Sequence, residues 1–166
     1  VNTTGSYNTA VGFDCLEANT TGVNNTAVGR DCMDSNTTGN ENAAFGQNTM
    51  SACTTGNSNS AFGRDCFHVL TTGSGNTGVG QGVGTNLTTG GNNLMLGLDS
   101  GRSGAPSGAI STGSNIICLG NNNITDLYCA DTSISSSDKR DKTDITDFTH
   151  GLNWVNQLKP VTYRWD

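Results

Sequence analysis

Six cysteines, two histidines and one glycine-rich hexapeptide are the parts of this chain most readily read as chemical groups. Cys15, Cys32, Cys53, Cys66, Cys118 and Cys129 are even in number, as a disulfide framework would need. No CxxC pair occurs among them, and their spacings suit neither a zinc site nor a redox motif. Cys15, Cys32 and Cys66 share one position of a 17-residue spacing with Thr49 and Val83. That set of small side chains marks a half-buried packing position, so these cysteines are expected to be free thiols, with a Cys15–Cys32 bridge left open. His68 and His150 have no ligand spacing to cysteine or carboxylate, which predicts surface or partly packed imidazoles and neither metal nor cofactor. Gly73-Ser74-Gly75-Asn76-Thr77-Gly78 fits GxGxxG, but no amphipathic helix follows and no βαβ unit surrounds it, so a dinucleotide site is not expected. Asp14, Asp31 and Asp65 give one carboxylate per spacing, where calcium-binding nonapeptide repeats need several.

Two further signals are weaker. Asn2-Thr3-Thr4, Asn19-Thr20-Thr21 and Asn36-Thr37-Thr38 are formal glycosylation sequons, expected to stay bare in a viral or bacterial protein. The Thr-Thr pairs also raise an ice-binding or lattice-binding solenoid as an alternative. Adjacent threonines on an extended chain point to opposite faces, however, leaving one outward hydroxyl per repeat.

The elements that position these residues follow from the spacing. Gly5, Gly22, Gly39, Gly56, Gly73 and Gly90 stand 17 residues apart, and Gly12, Gly29, Gly46, Gly63, Gly80 and Gly97 keep the same register. Asn8, Asn25, Asn42, Asn59, Asn76 and Asn93 lie between them. A fixed short period means that each unit is one supersecondary element that buries its apolar face only by stacking on its neighbours. The unit reads N-T-T-G-x-x-N-T-A-V-G-x-D-C-L-x-x, first from Asn2 to Ala18. Residues 8 to 11 alternate as a strand, with Ala10 on one face and Val11 on the other. The Val11 position becomes Val28, Phe45, Phe62, Val79 and Leu96, and the Ala10 position stays small as Ala27, Ala44, Ala61 and Gly78. One face is therefore expected to pack bulk and the other to admit close approach. Leu16, Met33, Met50 and Phe67 supply the opposite wall through a second short strand, the glycines mark the corners, and the asparagines stack as an amide ladder.

Composition agrees with a narrow β-structure. Among 166 residues, 33% are apolar, 6% aromatic and 23 are glycine, too little bulk for a wide core. Strict register argues against disorder. Of the formal charge of -6, residues 1 to 136 carry three basic side chains against nine acidic ones, and residues 137 to 166 carry five of each. Arg30, Arg64 and Arg102 alone make no basic stripe, so nucleic acid is not an expected partner. No apolar run is long enough to span a membrane, and the in-phase start suggests that the natural N-terminus lies upstream.

A coil with about two large buried side chains is thin for a solitary solenoid. The row of small residues is then explained by three chains packed about a common axis. The run N-T-A-V-G at residues 8 to 12 and 25 to 29, varied as N-A-A-F-G at 42 to 46, resembles the head repeats of trimeric autotransporter adhesins and related repeats of bacteriophage tail fibres. The resemblance covers residues 1 to about 103, with a loose further copy at Gly113 to Gly120 after an insertion over 99 to 115. It implies a parallel β-roll of about seven coils assembled as a homotrimer.

The repeat ends by about Tyr128. Seven of the sixteen residues from Ser137 to Leu152 are charged. Thr146 or Asp147 can cap a helix carrying Phe148, Leu152, Val155 and Leu158; Pro160 ends it, and Val161-Thr162-Tyr163-Arg164-Trp165 reads as a strand. A solvated polar turn is the plain reading of residues 137 to 142. The order Ser137, Asp138, Arg140, Lys142 and Ile145, followed by L-K-P-V-T-Y-R-W, resembles the start of the intramolecular chaperone domain called peptidase family S74, found at the ends of phage tail spikes and fibres.

That resemblance implies assisted trimerisation and then self-cleavage between Ser136 and Ser137. Ser137 would be the nucleophile and Lys142 the base, with Asp138 holding the loop and Arg140 stabilising the oxyanion or pairing with a carboxylate. Lysine serves as a base only when neutral, so burial or the positive charge of Lys139 and Arg140 must lower its pKa. The family's domain runs well beyond the length present here, which leaves open a truncated domain and a short version retained as a clamp.

The chain is accordingly expected to be all-β, with a β-roll over residues 1–130 and a small α+β segment over 131–166. Its expected role is a structural part of a viral tail fibre, in the virion. Partners would be two further copies of itself, upstream tail proteins and a host receptor, glycan or protein. It would be no turnover enzyme. The alternative is the head of a bacterial trimeric adhesin.

Overall fold

The computed structural model describes residues 2–105 and 107–128. Seven strands of three residues each, β1 (Thr9–Val11), β2 (Thr26–Val28), β3 (Ala43–Phe45), β4 (Ser60–Phe62), β5 (Thr77–Val79), β6 (Leu94–Leu96) and β7 (Ile117–Leu119), form one parallel sheet in sequence order. Ala10 stands opposite Ala27, Ala27 opposite Ala44, and so on at a constant offset of 17 up to β6. From Leu94 to Ile117 the offset is 23, because six extra residues, 104–109, sit between the last two coils. The fold is the expected parallel β-solenoid, and the expected α+β segment lies outside the described residues.

Each coil has one strand, not the expected two. The wall opposite the strand is a run of turns in which Asp14, Asp31 and Asp65, and then Leu16, Met33, Met50 and Phe67, all take positive φ of 50 to 56°. Left-handed backbone at bulky residues costs on the order of 1–3 kcal/mol each and persists only where surroundings fix it. Here two things fix it. The side chains of Met33, Met50 and Phe67 are fully buried, and the turn backbone bonds to the next coil, as in Met33 N–H to the Thr49 carbonyl at 3.0 Å and Met50 N–H to the Cys66 carbonyl at 3.0 Å. At the corners the space between coils admits no side chain; a Cβ on Gly46 would lie 2.7 Å from the Gly63 carbonyl carbon.

The two strand faces are placed opposite to expectation. Ala27, Ala44 and Ala61 point into the coil and are completely buried, while Val11 and its equivalents point outward. The interior is filled from the turn wall, so the strand can contribute only small side chains. Where Phe67 supplies the bulk, the next strand carries Gly78, whose Cβ would lie 2.7 Å from the Phe67 ring. The trade reverses one coil on. Gly84 and Gly101 stand on the turn wall and Met95 fills the space from the strand; a Cβ on Gly101 would lie 2.7 Å from the Met95 sulfur. Alanine therefore measures the space left in the coil and does not mark a contact between chains.

Candidate functional site

Buried asparagines hold the coils in register. Asn59 receives nothing from solvent: its backbone N–H and its Nδ2 donate to Asn42 Oδ1 at 3.0 and 3.1 Å, and Nδ2 also donates to the Gly73 carbonyl at 2.9 Å. Its own Oδ1 accepts from the N–H and Nδ2 of Asn76. The same pattern runs from Asn8 to Asn93, so each amide satisfies a neighbour's corner as well as its own. Threonines add a second file, each hydroxyl donating to the carbonyl of the equivalent residue in the next coil, as Thr20 does to Thr37 at 2.9 Å and Thr88 to Ser111 at 3.0 Å. The following threonines, Thr21, Thr38, Thr55 and Thr72, are exposed, which matches the expected single outward hydroxyl per coil.

The cysteines are free thiols, as expected. Burial pushes Cys32 and Cys66 up to about 12 and Cys53 up to about 11. Burial raises the half-buried Cys15 as well. Thiols held protonated in this way are neither nucleophiles nor ligands. Cys129 lies outside the described residues.

Asn19 and Asn36 of the sequons are buried and point into the coil, so neither amide is presented to a glycosylating enzyme. His68 is half-buried with an unpartnered Nδ1, and His150 lies outside the described residues. Gly73 to Gly78 runs from a corner into β5, with no helix among the described residues. Arg30, Arg64 and Arg102 pair with Asp31, Asp65 and Asp99 at 3.1 to 3.4 Å. Such exposed pairs contribute little to stability, but they neutralise the shaft's cations.

The outward strand face was not foreseen as a site. Val11, Val28, Phe45, Phe62, Val79, Leu96 and Leu119 form one file along it, with Phe45 and Phe62 stacked at 5.1 Å between ring centroids. Phe62 is 40% exposed, Val11 57% and Ile117 71%. The sequence held a signal for this. The Val11 position varies freely among Val, Phe and Leu, and such freedom in size belongs to a surface more naturally than to a narrow closed interior.

Ser136, Ser137, Asp138, Arg140 and Lys142, the residues tied to self-cleavage, all lie outside the described residues. Searches among curated proteins and among solved structures gave no match. Residues 137–166 match the model of the peptidase S74 family, the chaperone of endosialidase, so this segment is similar to the start of that domain and follows a parallel β-solenoid in the chain.

Proposed function

We propose that this chain is the distal part of a viral tail fibre: three β-solenoids side by side, followed by the beginning of a chaperone that sets them in register. One observation carries the reading, the succession in one chain of a parallel β-solenoid and a segment matching the S74 chaperone. The pairing has a physical logic. Parallel strands one coil apart are non-local contacts, and copies of a periodic surface pack almost equally well when slipped by one coil. A terminal module that first brings three C-termini together removes that ambiguity. The same match favours the tail fibre over a bacterial adhesin head.

In this reading the shaft presents its polar coil edges and the 99–115 region to a host-surface glycan or protein, and upstream tail proteins hold its N-terminal side. Ser137 Oγ attacks the Ser136 carbonyl as Lys142 takes the hydroxyl proton; the Ser136–Ser137 C–N bond then breaks with that proton passing to the Ser137 amine, and water hydrolyses the resulting ester to the Ser136 carboxylate and the free Ser137 hydroxyl, releasing the chaperone in a single turnover. Asp138 and Arg140 order the loop and stabilise the oxyanion.

Native mass spectrometry of the full chain tests both parts. The expected species is a trimer, with any break falling after Ser136 and disappearing in Ser137→Ala. Solitary protomers that keep their β-structure on dilution would overturn the trimeric reading.

A further inference from the structure

One polar file of the coil is interrupted at a single place. Asp14, Asp31, Asn48, Asp65 and Asp99 each stand two residues after a corner glycine, and in the coil between Asp65 and Asp99 that position is Gly82. The backbone does not require glycine there, since the other five take a left-handed φ of 50 to 56° with their side chains in place. Gly82 leaves a gap instead. In the coil of Asn48 the equivalent gap is closed, because Asn48 Nδ2 reaches across to Asp65 Oδ1 at 3.0 Å. Over Gly82 no such arm exists, and a notch of about 430 Å³ results, with Gly82 and Thr85 in its middle coil. Arg64, Asp65 and His68 wall it on one side, Asp99 and Arg102 on the other. The two walls belong to coils two strand spacings apart, about 9.6 Å.

From these observations we infer that the notch over Gly82 binds one ring of an uncharged sugar chain, with a second ring seated beside it. This rests on the attachment reading above and gives it a site and a ligand class. Each wall carries a carboxylate paired with a guanidinium: Arg64 Nε lies 3.3 Å from Asp65, and Arg102 lies 3.1 Å from Asp99. Both guanidiniums are more than half exposed, so a ligand reaches them. An acceptor and a donor side by side match two neighbouring hydroxyls of a sugar ring, one donating to the carboxylate and the other accepting from the guanidinium. Gln81 and Thr85 add an amide and a hydroxyl with the same double capacity.

Charge excludes the other ligand classes. Both cations already face an anion, so an anionic ligand would have to displace a carboxylate to be held. Among the described residues no group of three acidic, histidine or cysteine side chains could hold a metal ion. The shape favours a chain over a single ring. Asp99 and Arg102 also wall a second cavity of about 320 Å³, completed by Ser103 and by Asn121, Asn122 and Asn123. Both volumes fall within the range of small-molecule sites, roughly 300–1,000 Å³. Two such cavities sharing one ion-paired wall suit adjacent units of an oligosaccharide, with the Asp99–Arg102 pair reaching hydroxyls of both.

An array of uncharged and of uronate- or sialate-bearing oligosaccharides, probed with the full chain, tests the ligand class. The strongest binding is expected among the uncharged ones, and its dissociation constant should agree within twofold at about 50 and 500 mM NaCl. Preference for the acidic oligosaccharides, or no binding to any uncharged one, overturns the inference. Gly82→Asn then locates the site. It copies the coil of Asn48, where asparagine already takes a φ of 54°, and the Asp99 carboxylate that leans over Gly82 would accept from the new amide as Asp65 does from Asn48. The variant should keep the parent's melting temperature or exceed it, and bind the array's best uncharged oligosaccharide at least tenfold more weakly. Arg102→Ala opens the shared wall without filling the notch and should weaken binding tenfold as well, whereas Arg30→Ala, on a pair with no notch beside it, should stay within twofold. Either Gly82→Asn or Arg102→Ala binding at the parent's strength overturns the notch. Such a result leaves the tail-fibre reading standing, because the trimer and the break after Ser136 are measured separately by native mass.

Discussion

One interior position of the coil is filled in two chemically opposite ways along the molecule. In the N-terminal coils it holds Asn2, Asn19 and Asn36; in the C-terminal coils it holds Leu70, Leu87 and Ile110, with Cys53 between the two sets. The backbone around both is alike. Asn19 Nδ2 donates to Asn2 Oδ1 at 3.1 Å and to the Gly22 carbonyl at 3.2 Å, and Asn36 Nδ2 repeats this with Asn19 Oδ1 and Gly39. Cys53 ends the ladder, and Asn36 Oδ1 is left buried without a donor. A repeat interior thus accepts polar side chains wherever the neighbour above or below completes them, and the cost collects at the junction between the polar and apolar stretches.

The sharpest test places the wrong chemistry in the apolar stretch. Leu87→Asn should lower stability by about 3–4 kcal/mol, combining about 2 from lost apolar burial with an Oδ1 that has no donor between Leu70 and Ile110. Urea unfolding measures it, and a loss below 1 kcal/mol would break the comparison. Asn59→Ala should cost about 2–3 kcal/mol, because it orphans the Gly73 carbonyl and the Asn76 N–H. The ladder that starts at Asn8 crosses both stretches, so Asn25→Ala should cost about the same.

The junction gives the opposite sign. Asn36→Leu or Cys53→Asn only moves the orphaned acceptor by one coil and should change stability by less than about 1 kcal/mol. Asn19→Leu combined with Asn36→Leu moves it to the exposed Asn2, where water satisfies it, and should stabilise by about 1–2 kcal/mol.

The smallest effect at neutral pH concerns the thiols, which lie in both stretches. Their folded pKa values are raised above the ordinary 9.0, so the folded chain holds protons that the unfolded chain loses. Their contribution is complete below pH 9 and falls as pH rises toward 11 to 12, and the melting temperature should decline over that window. Cys32, Cys53 and Cys66 should also resist a thiol reagent at pH 8.5 until the chain is unfolded.

Much of this was legible in the residues. The 17-residue offset became the strand register, the Asn8 file became the amide ladder, and the alternation of Cys15, Cys32 and Cys66 with Thr49 and Val83 correctly marked packed thiols. The second strand was misread. Left-handed backbone at Leu16, Met33, Met50 and Phe67 contradicts the ordinary preference of bulky residues, and only their burial with the inter-coil hydrogen bonds sustains it. The resemblance of the C-terminal segment to the S74 chaperone was legible in its motif, and the family match covers residues 137–166.

Period and register belonged to the sequence alone, because a repeat that stacks on itself has only one offset that brings equal residues together. Inside and outside did not. Alternation along a strand says that two faces differ, but the choice between them depends on how much room the opposite wall leaves. Met33, Met50 and Phe67 take that room from across the coil, so alanine turns in and the valine and phenylalanine file turns out. That competition for one small volume exists only once the coil has closed.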